Sequence, residues 1–355
     1  NIIYMNFVKK LFLISLITSI FLELSVKIFY PQDLQGTFFE QVRGGLAVNK
    51  KNYIHKIHRF KNVTTKYKFG EFHNRITIKK DDNKKDLILV LGDSWTLGYL
   101  LEDENTFVHK LQKKFDDFYF INSGTGGMGV ARYTTFCDLF CNKINPKYVI
   151  VFLNSGDVGR AMSTYLYQLE NDKLKTGNDK IYIKDSTKFD KIPFYKFLKN
   201  NSHSFRLFRN TVFDLIYPIK LNNENSINDL SKDGCYYPQH SFKNEKISLA
   251  VKKSKLLFLH LNETVKNIGS TLVVINTGWY DYNLMRNDNP SKFFLKEANS
   301  FFKKNDIIYL DNTSEMKEVH ENLCKFIIPI DAHPNNLGSD KIFQTSYSNL
   351  KNILK

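Results

Sequence analysis

Five aliphatic residues in a row, Leu87 to Leu91, stop at Gly92 and give way to Asp93-Ser94-Trp95. A run without a polar member reads as a strand buried on both faces, the pattern of a parallel sheet. Further strands are read at 118–122, 148–153, 271–276 and 306–310. Between them, apolar positions three and four apart predict helices. One covers 104–115, with Phe107, Val108, Leu111 and Phe115 on a single face; others cover 130–142, 247–265 and, closing the chain, 337–354. Strands alternating with helices predict an α/β domain on a parallel sheet over 87–355. The rhythm breaks over 160–245, rich in Lys, Asn, Asp and aromatics, with short helical pieces near 192–200 and 203–216. This stretch is expected to be an insertion at the carboxyl edge of the sheet, where insertions form lids and substrate walls.

The front of the chain has a different pattern. Lys9 and Lys10 precede an apolar stretch, 11–30, interrupted only by Ser15, Thr18, Ser19, Glu23, Ser25 and Lys27. Its length is about the 20 residues that a spanning helix needs. No small-x-small cleavage site follows, since Pro31-Gln-Asp is a poor one. Residues 1–30 are therefore expected to form an uncleaved signal anchor, with the lysines holding the N-terminus in the cytoplasm and the rest outside. The competing reading is an amphipathic core helix, which Glu23 and Lys27 would suit. Residues 31–86 are polar and short of periodicity, and read as a juxtamembrane stalk and lead-in. Within them, 64–78 alternates enough for a strand or two, with Gly70 as a turn.

Composition narrows the classes. With 355 residues, 42% of them hydrophobic, the chain can bury a large core. The net charge of +15 invites a nucleic-acid reading. The lysines are spread thinly, however, without a basic run interleaved with aromatics, so a solvated surface is expected and no nucleic-acid partner. Part of that charge is available to an anionic membrane or an acidic glycan. Cys137 and Cys141, four apart on a predicted helix, share a face. With Cys235 and Cys324 they make no Cys-x-x-Cys pair and no His cluster accompanies them, so packed thiols rather than a zinc site are expected, with a disulfide as the alternative.

Ser94 follows a strand end, where ligand sites of open α/β sheets lie. A serine hydroxyl becomes nucleophilic when a base takes its proton, usually a histidine oriented by a carboxylate. Asp331-Ala-His333, after the last strand and before the last helix, offers both at the same sheet edge. An oxyanion needs donors. The candidates are the backbone N–H of Ser94, an N–H in the turn Gly124-Thr-Gly-Gly127, and the amide of Asn154. Each residue also has a plainer reading. Ser94 suits a helix N-cap, His333 a surface histidine, Asp331 a turn and Gly127 a turn glycine. Trp95 is read as packing, and His203, His240 and His260 as structural or surface residues.

The motifs together resemble the SGNH/GDSL hydrolase superfamily. Gly92-Asp-Ser-Trp-Thr-Leu-Gly98 is similar to its nucleophile turn. Asn122-Ser-Gly-Thr-Gly-Gly127 is similar to its second block, with Gly127 at the oxyanion glycine, and Asp331-Ala-His-Pro-Asn335 to its Asp/His block. The resemblance implies a three-layer α/β/α fold with sheet order 2-1-3-4-5. It also implies ester hydrolysis or acyl transfer through an acyl-serine, and no metal or organic cofactor. The anchor and stalk resemble those of membrane-tethered bacterial members. Two departures stand out. Gly156 occupies the position where the family carries the asparagine of its third block, with Asn154 two residues earlier as the available substitute. Asp331 and His333 are separated by one residue instead of two. The expectation is an extracytoplasmic serine esterase acting on O-acetylated carbohydrate. An O-acetyltransferase and a non-catalytic glycan-binding module are the alternatives.

Overall fold

The computed structural model describes residues 2–42, 45–60, 63–78, 86–162, 166–177, 192–216, 243–279, 287–329 and 331–354. The chain divides into two compact units: 1–38, 55–66 and 183–223 form the first, and 39–54, 67–182 and 224–355 the second.

The second unit is built on five strands: β1 (Asp86–Leu91), β2 (Phe118–Asn122), β3 (Tyr148–Leu153), β4 (Thr271–Asn276) and β5 (Ile308–Asp311). They pair in the order β2-β1-β3-β4-β5, parallel throughout, which is the expected 2-1-3-4-5 arrangement. Successive side chains point to opposite faces, and both faces are covered. Leu89, Leu91, Val149, Val151, Leu272 and Val274 join one core, with residues of helices Val130–Ile144, Asn244–Asn267 and Pro290–Lys304. Ile88, Val90, Ile150, Phe152, Val273 and Ile275 join the other, with residues of helices Phe107–Lys114 and Asn336–Leu350. This double burial is why the inner strands read as apolar runs.

Several elements differ from expectation. The first predicted helix is shorter, because Thr106 takes the N-cap and its hydroxyl accepts from the His109 N–H. Helix Pro290–Lys304 was not anticipated; Asn289 caps it and Phe294, Ala298 and Phe302 are buried along one stripe. Helix Leu323–Phe326 precedes the Asp331 loop, where Ile327 bridges Pro334. Strands Phe39–Val42 and Leu46–Asn49 pair antiparallel, and Asn49 Nδ2 donates to the carbonyls of His73 and Gly124. Cys137 and Cys141 form a disulfide where packed thiols were expected, with Cα atoms 4.6 Å apart. Cys324 is also disulfide-bonded, and Cys235 lies outside the described residues.

In the first unit, helix Ile2–Phe29 contains Tyr4–Phe29, with a mean hydropathy of 2.0 in its most apolar window. Among the described residues it is the one helix long and apolar enough to cross a membrane. The charge within it has a defined partner. Glu23 accepts from the backbone N–H groups of His203 (2.7 Å) and Ser204 (3.0 Å) and from the hydroxyls of Ser202 and Ser204. Those amides open helix His203–Ile216, whose first-turn donors and dipole favour an anion. His203 Nδ1 accepts from the Gln32 N–H, and in the second unit His260 pairs with Asp138 at 3.2 Å, so both histidines are structural. His240 lies outside the described residues.

Candidate active site

At the end of β1 the chain turns through Gly92 into the one-turn helix Ser94–Leu97. A Cβ at Gly92 would stand 1.9 Å from Thr96 Oγ1, so the turn closes only with glycine. The N-cap role belongs to Asp93, whose Oδ1 accepts from the Trp95 N–H at 2.9 Å. The Ser94 hydroxyl is therefore not spent on capping. Asn122, at the end of β2, locks the helix from the side: Nδ2 donates to the Thr96 carbonyl and Oδ1 accepts from the Gly124 N–H. Trp95 packs edge-on against Trp279 with centroids 5.0 Å apart, the packing role expected of it.

His333 reaches Ser94 from a tight loop. The Ile328 N–H donates to the His333 carbonyl, and the Asp331 and Ala332 N–H groups donate to the Ile328 carbonyl. Ala332 lies in the left-handed region at φ +61. That conformation lets residues 331 and 333 present their side chains together, and it accounts for the one-residue spacing. Asp331 Oδ2 is 2.6 Å from His333 Nδ1, and His333 Nε2 is 2.7 Å from Ser94 Oγ. A carboxylate only accepts, so Nδ1 carries the proton and Nε2 of the neutral ring is the acceptor facing Ser94. Tyr99 packs on the imidazole, with ring centroids 4.8 Å apart. The His333 and Asp331 side chains are 19% and 12% exposed, so the site opens to solvent.

The three expected oxyanion donors are placed as follows. Ser94 opens its helix, where N–H groups lack intrahelical acceptors. Gly127 is exposed in the left-handed region at φ +70, with its carbonyl held by Arg132 at 3.0 Å. Asn154 is buried; its backbone N–H is spent on Asp157 Oδ2 at 2.7 Å and its Oδ1 on the Ser155 N–H. Only its side-chain NH₂ is left to serve an oxyanion. Gly156, in helical conformation, begins the short helix Asp157–Arg160.

Beneath Ser94 lies a charged network that the sequence reading missed. Arg160 Nη1 donates to Asp93 Oδ2 at 3.0 Å, to Asp157 Oδ1 at 2.9 Å and to the Met128 carbonyl. Tyr133 donates to Asp157 Oδ2 at 2.8 Å. Arg160 thus ties the cap of the Ser94 helix to the segment carrying Asn154. The local signal was the i, i+3 pair Asp157/Arg160; its link to Asp93 is long-range. Burial, and then the charge of Asp93, push the Asp157 carboxyl up to about 8. Burial opposes the Arg160 charge, but Asp93 and Asp157 outweigh it and hold the guanidinium above its ordinary range.

The raised Asp157 carboxyl has a consequence for stability. Unfolded, the group ionises near 3.8; folded, it keeps its proton to about 8. The folded chain binds more protons between those values, so this contribution is complete below the lower value and lost as pH rises through the upper one. Melting temperatures of the wild type should decline across that window more steeply than those of Asp157→Asn, whose amide mimics the neutral acid. Parallel curves would show that Asp157 is ionised throughout.

No family model matches the sequence, and no curated protein matches it. Solved structures similar to it over about three quarters of its length include esterases and members of the lipolytic G-D-S-L family. The psychrotrophic esterase EstA from a Pseudoalteromonas species is 14% identical, with a TM-score of 0.42, over 76% of this chain and 99% of its own. TesA is 10% identical, with a TM-score of 0.42 and the same coverage. A member of the lipolytic G-D-S-L family from Veillonella parvula is 9% identical, with a TM-score of 0.43, over 75% of this chain and 98% of its own.

Proposed function

We propose that this chain is a membrane-tethered serine esterase that removes acyl groups, acetyl foremost, from carbohydrate outside the cytoplasm. One observation carries the catalytic part: the hydrogen-bond chain from Ser94 through His333 to Asp331. Ser94 Oγ attacks the ester carbonyl while its proton passes to His333 Nε2. Asp331 holds the ring and the imidazolium. The N–H groups of Ser94 and Gly127 and the Asn154 side chain donate to the oxyanion. As the tetrahedral intermediate collapses, the ester C–O bond breaks and His333 returns the proton to the leaving alkoxide. Water, deprotonated by the same nitrogen, releases the acyl group from Ser94. No metal or organic cofactor is needed, since the chain supplies nucleophile, base and donors.

Tethering is supported by the apolar helix and by Lys9 and Lys10 before it. An oxidising location is supported by the Cys137–Cys141 disulfide. Transfer of the acyl group to a sugar hydroxyl uses the same acyl-serine and differs only in the acceptor. Gly156 in place of a third-block asparagine favours a second reading, a glycan-binding module without turnover, because losing one oxyanion donor costs about a hundredfold or more in rate. A fluorophosphonate probe separates the readings. Wild type should label and hydrolyse p-nitrophenyl acetate, and Ser94→Ala should do neither. A wild type that neither labels nor turns over would leave the binding module standing. Acyl transfer to an added oligosaccharide in excess of hydrolysis would mark a transferase.

A further inference from the structure

Asp33, His55 and His58, which take no part in the Ser94 site, converge within the first unit. Asp33 Oδ2 stands 3.0 Å from His55 Nε2 and 3.6 Å from His58 Nδ1. One ligand atom from each of the three residues lies within 4.8 Å of the others. A tetrahedral ion bound at about 2.0–2.1 Å sets its ligand atoms roughly 3.3 Å apart, and the two carboxylate–imidazole separations bracket that spacing.

The surroundings orient the three donors. Asp33 Oδ1 accepts from the Gln35 N–H at 3.0 Å, which turns Oδ2 toward the rings, as second partners do for metal-bound carboxylates. Buried Phe38 packs edge-on against both imidazoles, with centroids 5.4 and 5.3 Å away. His55 and His58 are three apart on strand Ile54–Phe60, where strict alternation would send them to opposite faces. Burial along that strand loses its alternation after Lys56, and both rings reach the same carboxylate. The His55 side chain is fully buried, while those of Asp33 and His58 are 16% exposed, which leaves an open side.

We propose that Asp33, His55 and His58 bind one divalent transition-metal ion of the zinc class, with a fourth coordination position open to water or a ligand. Two imidazoles with a carboxylate suit zinc and its first-row neighbours, whereas magnesium and calcium prefer all-oxygen sites. The ion would fasten the segment just beyond helix Ile2–Phe29 to strand Ile54–Phe60, both within the first unit.

The test uses the full chain in detergent, stripped with a chelator and titrated with Zn(II) against a chromophoric competitor. One zinc ion per chain is expected, and Co(II) in its place should give the intense visible absorption of a tetrahedral site. His58→Ala and the isosteric Asp33→Asn should each weaken binding at least about tenfold. His333→Ala should leave it unchanged. Circular dichroism checks the fold, and the two variants act on different side chains, so a folding defect in one leaves the other decisive. Absence of zinc binding, equal affinity in both variants and wild type, or loss of binding in His333→Ala would overturn the proposal. Because none of these readouts uses turnover, the result stands apart from the esterase reading.

Discussion

His333→Ala should lower kcat/KM for p-nitrophenyl acetate by at least about a thousandfold, leaving only the rate that donors and binding supply. The expectation follows from the 2.7 Å contact between Nε2 and Ser94 Oγ, which no other described side chain duplicates. Asp331→Asn should be nearly as damaging. Its amide NH₂ would donate to Nδ1, the ring proton would move to Nε2, and the nitrogen facing Ser94 would become a donor that cannot take the hydroxyl proton. Since the residues act as one unit, the double variant should be little worse than the worse single one. Steady-state rates decide the matter: retention of activity within about tenfold in His333→Ala would remove histidine from the mechanism.

The second large effect concerns folding. Arg75 is buried, with its guanidinium donating to the carbonyls of Leu97, Gly98 and Leu101 and twice to Asp103 Oδ1. Those carbonyls lie at and just beyond the end of the Ser94 helix. Arg75→Ala orphans the buried carbonyls of Leu97 and Leu101, leaves Gly98 only its bond from the Leu101 N–H, and strands Asp103, which should cost about 3–5 kcal/mol. Thermal melting should drop by roughly 6–15 °C for a domain of this size. Arg75→Lys should recover only part of the loss, since an ammonium cannot span the fork that five N–H groups fill. A melting temperature unchanged in Arg75→Ala would mean that the loop after Ser94 is held by other contacts.

The two results mark what the sequence could and could not convey. Strands of the main sheet were legible because burial leaves them mostly apolar, and Ser94 and His333 stood out because each lies in a compact motif after a strand or before a helix. Helix Pro290–Lys304 carried a readable signal, Asn289-Pro290 at its start and Phe294, Ala298 and Phe302 four apart, that the alternation of strands and long helices obscured. Arg75 and Arg160 carried little. Each draws its meaning from partners such as Asp103 and Asp93, 28 and 67 residues away, and a lone arginine in a polar stretch looks the same whether it is solvated or buried. The cysteine pair was read correctly as sharing a helical face, but its oxidation depends on chemistry that spacing does not specify. Short strands such as Phe39–Val42 were missed because four residues offer too little periodicity to register.

The loop around Ala332 divides the reactive centre into two pieces. Asp331 and His333 belong to one short hydrogen-bonded turn, and Ser94 to the turn after β1, pinned by Asn122 and Asp93. Among the described residues, the bond between Nε2 and Oγ and the packing of Tyr99 on the imidazole join them. A rocking of the loop would carry carboxylate and imidazole together, preserving their mutual bond while opening and closing the gap to the hydroxyl. Departure of the histidine side would thus break the contact to Ser94 without disturbing the bond between Asp331 and the ring.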